Sequence, residues 1–270
     1  MVYKAEQNLH WRVSQLSAFL LLSRDGRRYI VPDGTGLVRV KGLGIVDRNN
    51  LSATGYGTSV SIAGKAFLLL PPTLDDLLSG LSRGPQIIMA KDAAQIIQCL
   101  SIHSGSRVVE GGSGSGSLTI ALLHAVFPLG EVITVELRTD HIRLARENVT
   151  GCGLQSCWRP VIADVRKPLL PDSADAMVLD VPDPWEALHT ACITLRPGGM
   201  LAVYSPTINQ TERTVVSASA DCLLHEKSFE VIVRKLEIAS GASRHSFDTL
   251  GHTGYVSLFR KVAANVLEIN

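Results

Sequence analysis

The chain has 270 residues, 46% of them hydrophobic, and 26 Lys and Arg against 25 Asp and Glu leave a net charge of +1. That length builds one large core and one small extra domain. No apolar run reaches the roughly 18 residues a membrane span needs, the N-terminus lacks a signal-peptide layout, and the near-zero net charge argues weakly against a nucleic-acid partner.

Charge is unevenly distributed. Residues 1–75 hold 9 Lys and Arg against 5 Asp and Glu, and the excess is concentrated in Arg24, Arg27, Arg28, Arg39, Lys41 and Arg48. A basic first part is compatible with a phosphate backbone, and equally with a solvated face. Cys99, Cys152, Cys157, Cys192 and Cys222 are scattered, without a CxxC pair. The expectation is structural thiols in a reduced, cytoplasmic setting. No His spacing suits a metal, so no metal site is expected.

Residues 1–17 show no usable pattern. From 18 to 70, AFLLLS, RRYIV, LVRV, GLGIV, TSVSI and KAFLLL alternate with glycine turns. Short strands cut by such turns predict a small β barrel or sandwich, placed at 1–75. Pro71-Pro72 closes it, and Thr73 with Asp75-Asp76 opens a connecting helix. From 76 to 270 a second domain is expected. AKDAAQIIQCLSI reads as an amphipathic helix. Strands are predicted near 106–111, 131–136, 159–163, 175–180, 200–205, 229–237 and 254–261, with helices at 139–150 and 184–194. This alternation predicts a Rossmann-like α/β fold whose seven-stranded sheet is largely parallel. FEVIVRKLE and GYVSLFRK, with no helical pattern between them, read as an antiparallel pair at its edge.

RVVEGGSGSGSLT (107–119) places Gly112, Gly114 and Gly116 between a strand and a helix. Such a turn sits at the carboxyl end of the sheet, where open α/β folds bind ligands. A dinucleotide fingerprint needs its third glycine at 117, where Ser117 stands. The G-x-G-x-G spacing suits a nucleoside against the turn better than a pyrophosphate; the plain alternative is a flexible loop. Glu136 ends the next strand, 20 residues after Gly116, where a carboxylate can accept from both ribose hydroxyls or stand as a solvated charge. Asp164 ends the third strand and can accept from an exocyclic amine, or cap a turn.

MVLDVPDPWEAL (177–188) carries the most specific chemistry. Asp183, Pro184 and Glu186 fit a helix start with a capping box. Asp180 has no such explanation. A carboxylate at the ligand edge of a buried strand is costly to desolvate without a partner, so the chemistry is assigned to it. Trp185 can stack on a base or fill the core. Ser205, Thr207, Asn209 and Gln210 can line a pocket or cap a helix.

EGGSGSG, Glu136, Asp164 and LRPGG together resemble a class I S-adenosylmethionine-dependent methyltransferase. More closely, RGPQIIMAKDAAQII (83–97), LDVPDPW (179–185) and GHTGY (251–255) resemble the tRNA (adenine-N1)-methyltransferases that modify adenine 58 of the T-loop. The resemblance covers about 80–261. It implies S-adenosylmethionine as cofactor, tRNA as partner and a homotetramer. Ser115, Gly116, Ser117 and Leu118, with Gly112 and Gly114, would face the methionine and ribose portions. Glu136 would bind the ribose with His141 beside it, Asp164 and Val165 would hold the adenine, Ile88 would touch the cofactor, and Asp180 would be catalytic. Met89-Ala90 stands where the family commonly has an aromatic-proline pair. Three other readings remain: a NAD-dependent oxidoreductase, a methyltransferase for another substrate, and a non-catalytic RNA-binding subunit. The displaced third glycine speaks against the first, the basic β region against the second, and the intact glycine turn against the third.

Overall fold

The computed structural model describes residues 18–81, 87–168, 171–218 and 222–263; the N-terminal 1–17 and the first part of the 83–97 motif lie outside them. The chain divides into two compact units, one running to Gly80 and including 151–153, the other holding the remainder.

In the first unit, β1 (Ala18–Ser23), β2 (Arg28–Pro32), β5 (Ser59–Ile62) and β6 (Lys65–Leu70) form an antiparallel sheet in the order β2-β1-β6-β5. A hairpin of β3 (Leu37–Val40) and β4 (Gly44–Asp47) leads into a short helix α1 (Arg48–Ala53). Alternation along the strands sends Phe19, Leu21, Val31, Val40, Val46 and Val60 into one shared core. Helix α2 (Leu74–Gly80) starts at a reciprocal cap. The Asp76 carboxylate accepts from the backbone and hydroxyl of Thr73 at 2.9 and 2.7 Å, and the Asp76 N–H donates back at 3.2 Å. Arg28 pairs with the same buried carboxylate.

The second unit opens with α3 (Ala90–Cys99). Strands β7 (Arg107–Gly111), β8 (Glu131–Glu136), β9 (Trp158–Ile162), β10 (Ala174–Leu179) and β11 (Leu195–Ser205) follow, with α4 (Ser117–Val126) after β7, α5 (Thr139–Gly151) after β8, α6 (Leu188–Thr194) after β10 and α7 (Ile208–Ala218) after β11. Strand β12 (Leu223–Glu230), a small hairpin of β13 (Leu236–Glu237) and β14 (Arg244–His245), and β15 (Tyr255–Lys261) complete it. The seven-stranded order is β12-β15-β11-β10-β7-β8-β9. Only β15 runs against its neighbours, so the expected α/β architecture is present with an antiparallel pair at one edge.

The sixth strand of the sheet corrects the sequence reading. It is LLHEKSFE, not FEVIVRKLE. At the sheet edge β12 pairs with β15 alone and carries a register shift between His225 and Lys227. An edge strand need not bury both faces, so polar residues suffice. The apolar Ile232 and Val233 lie beyond it and are exposed. A second correction concerns the cysteines. Cys192 and Cys222 form a disulfide across 30 residues, with Cα atoms 5.9 Å apart, while Cys99, Cys152 and Cys157 are free.

Every turn at the carboxyl end of the five parallel strands opens on one edge. Gly112–Gly114 follow β7, Glu136 closes β8, Ala163–Val165 follow β9, Asp180 follows β10 and Pro206 follows β11. No helix among the described residues is long and apolar enough to cross a membrane.

Burial alone would raise the Asp76 carboxyl, but the Thr73 donors and Arg28 hold it below its usual 3.8. A depressed carboxyl stabilises the fold above its unfolded value and loses that contribution as pH falls through its folded value. Asp76→Ala is therefore expected to cost about 1–2 kcal/mol at neutral pH. Urea unfolding should show the deficit shrinking as the buffer is acidified through the carboxylate range.

Candidate active site

A cavity of about 590 Å³ lies at this edge, lined by Gly112, Gly114, Ser115, Glu136, His141, Asp164, Val165 and Asp180, with Pro182, Asp183, Pro206 and Gln210 at the far side. A small adjoining cleft is lined by Ile88, Ser117 and Leu118 and shares Gly112, Gly114, Ser115 and Asp180 with the cavity. The fold thus brings together every predicted site residue except Gly116.

The three glycines serve different ends. All have positive φ, at 89°, 49° and 85°. A Cβ on Gly112 would run into the carbonyl oxygen of Asp180. Its absence lets the loop after β10 close on the turn, and Asp180 N–H donates to the Gly111 carbonyl at 2.8 Å. Gly116 caps α4, and a Cβ there would press on Ala145 of α5 at 3.1 Å. It lines neither the cavity nor the cleft, because its bare face is filled by helix packing. A Cβ on Gly114 would meet nothing within 4 Å.

Glu136 is held by its surroundings. One oxygen accepts from the Ser113 N–H and hydroxyl at 2.9 and 3.2 Å, the other from the Arg138 N–H at 2.9 Å, and His141 Nδ1 lies 3.4 Å away. Burial pushes the carboxyl up, but the Arg138 and Ser113 N–H groups and His141 outweigh it and keep Glu136 below its usual 4.5. Ser113 is a residue the sequence reading missed. Its contribution is partly a backbone N–H, which any residue would carry.

Asp164 is gripped by Arg166, also missed. Its Oδ1 accepts from the Arg166 N–H and Nε at 3.0 and 2.8 Å, and its Oδ2 from a terminal nitrogen at 2.8 Å. The other arm of the guanidinium reaches Glu186 at 2.8 Å. The Asp-x-Arg spacing was the available signal. Glu186 therefore does not complete the predicted capping box; Asp183 makes no side-chain cap bond and Pro184–Ala187 is a 3-10 turn. Trp185 packs on the core, and Arg213 covers its ring at 3.9 Å. Thr207 and Gln210 cap α7, and Gln210 also donates to the Pro182 carbonyl at 2.9 Å.

Ser117 donates to the Ile88 carbonyl at 3.0 Å, which draws the segment before α3 onto the glycine-turn helix. Beneath the turn, Glu110 is fully buried and accepts from Thr119 and Thr134 hydroxyls, both at 2.7 Å. Burial pushes it up to about 8 against those two donors, so it is mostly protonated at neutral pH.

Asp180 stands apart. Its side chain accepts no hydrogen bond and makes no ion pair with any described residue. It is half-buried, and desolvation followed by the Glu136 charge lifts it to about 6. A carboxylate held this way, in a cavity beside a glycine turn, is poised for a cationic or hydrogen-bond-donating ligand. No group of three or more His, Cys, Asp or Glu that could hold a metal is found among the described residues.

Residues 66–248 match the family model described as tRNA methyltransferase complex GCD14 subunit. The chain belongs to this family. Members of known activity are similar over most of their length. A tRNA (adenine(57)-N(1)/adenine(58)-N(1))-methyltransferase of Methanocaldococcus jannaschii is 30% identical, over 89% of this chain and 94% of its own. A tRNA (adenine(58)-N(1))-methyltransferase of Thermus thermophilus is 32% identical, over 91% and 97%. Among solved structures, a SAM-dependent O-methyltransferase of Thermotoga maritima superposes with a TM-score of 0.81 at 28% identity, covering 92% of this chain and 93% of its own. The Aquifex aeolicus tRNA (m1A58) methyltransferase shares the fold, with a TM-score of 0.74 at 24% identity over 93% of this chain and 99% of its own. The family match spans every residue lining the cavity and stops short of GHTGY.

The raised Asp180 makes a pH-dependent prediction. A carboxyl elevated in the fold carries no penalty below its unfolded value and a full one above its folded value. Asp180→Asn is expected to unfold at a higher temperature than the parent at about pH 8, by up to about 2 kcal/mol of added stability. Calorimetry should find the advantage gone below about pH 4.

Proposed function

We propose that this chain transfers the methyl group of S-adenosylmethionine to N1 of adenine 58 in the T-loop of tRNA, with Asp180 as the catalytic residue. The observation that carries this reading is the unpartnered Asp180 carboxylate facing a nucleoside-sized cavity at the glycine turn. The tRNA methyltransferases similar over nine-tenths of the chain support it.

The residues present fit the cofactor. Gly114 leaves open space where a side chain would stand. The buried Ser115 hydroxyl has no partner, and an orphaned donor of this kind is the mark of a missing ligand or water. Glu136 is ionised and already oriented, with lone pairs left for ribose hydroxyls. His141 flanks it, Val165 supplies an apolar wall, and Asp164, fixed by Arg166, offers an acceptor for the adenine amine. Ile88 and Leu118 line the cleft toward the methionine portion, beside Ser115. The Ser117 hydroxyl already serves Ile88, so Ser117 acts by shaping this wall, and Gly116 by letting α4 seat on α5.

When bound, S-adenosylmethionine supplies a methyl group on a cationic sulfur. The protein's task is to bring one nucleophile into line, and orientation of that kind contributes about 7–11 kcal/mol in favourable cases. Adenine N1 has a free lone pair at neutral pH, so no general base is required. Asp180 accepts a hydrogen bond from the exocyclic amine and favours the positive charge the ring acquires; in a dry cavity that effect is large. The target base is swung out of the folded RNA at a cost of a few kcal/mol. Contacts from the first unit to phosphates offset that cost. Of the six basic residues counted toward a basic face, Arg27 pairs with Asp25, Arg28 with Asp76, and Arg48 donates to loop carbonyls, which leaves Arg24, Arg39 and Lys41 exposed and unpaired among the described residues. These three are the proposed RNA contacts.

The family resemblance brings a homotetramer with it. Exposed Ile232, Val233, Leu236, Ile238, Phe247 and Leu250, around the β13–β14 hairpin, are an apolar surface that supports self-association. A tRNA substrate supports a cytoplasmic setting.

Incubation with unmodified tRNA and labelled cofactor, followed by mapping of the modified nucleoside, tests the reading; label outside the T-loop adenines or no label at all refutes it. Asp180→Asn is expected to retain cofactor affinity and lose about 100-fold or more in turnover. Glu136→Ala is expected to weaken cofactor binding by about tenfold, and an unchanged calorimetric affinity would remove Glu136 from the ribose site.

A further inference from the structure

GHTGY and the Lys91-Asp92 pair take no part in the chemistry proposed above, yet they are closely joined. Asp92 is fully buried in the first turn of α3. Its carboxylate accepts from Lys91 Nζ at 2.8 Å and from the Thr253 hydroxyl at 2.9 Å. The Lys91 ammonium also donates to Thr253 Oγ1 and to the Val231 carbonyl, both at 2.6 Å. Its three protons meet three acceptors. A buried ion pair of this kind seldom adds stability over an apolar replacement, so its presence calls for a geometric reason.

The connections supply one. Ile88, three residues before Lys91, is tied to Ser117 and lines the cleft beside Asp180. On the other side, the His252 ring bonds the Pro206 carbonyl through Nε2 at 2.9 Å and Glu230 through Nδ1 at 3.0 Å. Pro206 lines the cavity that Asp180 faces. A Cβ on Gly254 would collide with the Tyr204 ring, so its glycine lets β11, just before Pro206, lie against the same loop. The loop thus holds one wall through His252 and the other through Thr253.

We propose that His252 and Thr253, acting with Lys91 and Asp92, are positioning residues that set the spacing of the Ile88 and Pro206 walls about Asp180. This inference rests on the methyl-transfer reading of that site and assigns the loop its part in seating the target base.

His252 adds a pH dependence. Both its nitrogens face pure acceptors, a carbonyl and a carboxylate. Neutral imidazole has one N–H and satisfies only one of them; imidazolium satisfies both. The Pro206 carbonyl first, then Glu230, raise the ring above its usual 6.5, while Lys91 opposes them. The Tyr255 ring, 4.7 Å away, is the other titratable neighbour. A raised histidine holds its partners below the unfolded value and releases one as pH climbs through the folded value. The charged Glu230 is the stronger acceptor and keeps the remaining N–H, so the grip on Pro206 weakens on the alkaline side.

The full chain, unmodified tRNA and S-adenosylmethionine serve for the test. Thr253→Val is expected to lower kcat/KM for tRNA by about tenfold, with cofactor affinity unchanged, and Thr253→Ser to restore it. In the parent, KM for tRNA should rise as pH increases above 6.5, and His252→Gln should flatten that rise. Amide exchange in the protein alone, at residues 87–92 and 206–210, should quicken in Thr253→Val and His252→Gln respectively. That readout needs no methyl transfer, so it holds even where the activity assay fails and the two readings are tested apart. Parent-like exchange and kinetics in Thr253→Val, no rescue by serine, or an unaltered pH profile in His252→Gln would overturn the proposal.

Discussion

Asp180 stands where it does because Gly112 has no side chain. The carbonyl of the aspartate occupies the space a Cβ would fill, and its N–H closes onto the preceding residue of the turn. The glycine turn and the loop that carries Asp180 are therefore one packed unit. A larger residue at 112 would move the carboxylate itself, since the colliding atom is backbone and cannot rotate aside. The other two glycines are freed for different work, Gly116 for helix packing and Gly114 for open space. A motif that reads as three equivalent positions is three separate solutions.

Three carboxyl groups converge below this turn, and environment alone distinguishes them. Glu136 has backbone donors and remains charged. Glu110 has only two hydroxyls in a dry interior and keeps its proton. Asp180 has neither donors nor complete burial and falls between. Neighbouring carboxyls thus settle in different protonation states because their donors and burial differ. The walls are set by a second layer: Ser117 on Ile88, Arg166 on Asp164, and the loop at 252–254.

Much of this was legible in the sequence, for identifiable reasons. Parallel strands buried on both faces read as apolar runs, and the residues that end them can be counted without knowing how the chain folds back. Edge strands hide: LLHEKSFE pairs on one side only, and the more apolar FEVIVRKLE drew the assignment downstream. Contacts between distant segments were also silent. Cys192 meets Cys222, Arg28 meets Asp76, and Arg166 meets Glu186 through the fold rather than through spacing. Arg28 and Arg48 counted toward a basic face and proved to be engaged internally. Ser113 contributes partly through its backbone, which has no letter of its own.

The proton kept by Glu110 bears on the charge balance behind the glycine turn. With that group neutral, no further charge stands behind Glu136 and Asp180, the two carboxyls it would repel. A third charge there would lift Asp180 further and work against the ionised Glu136.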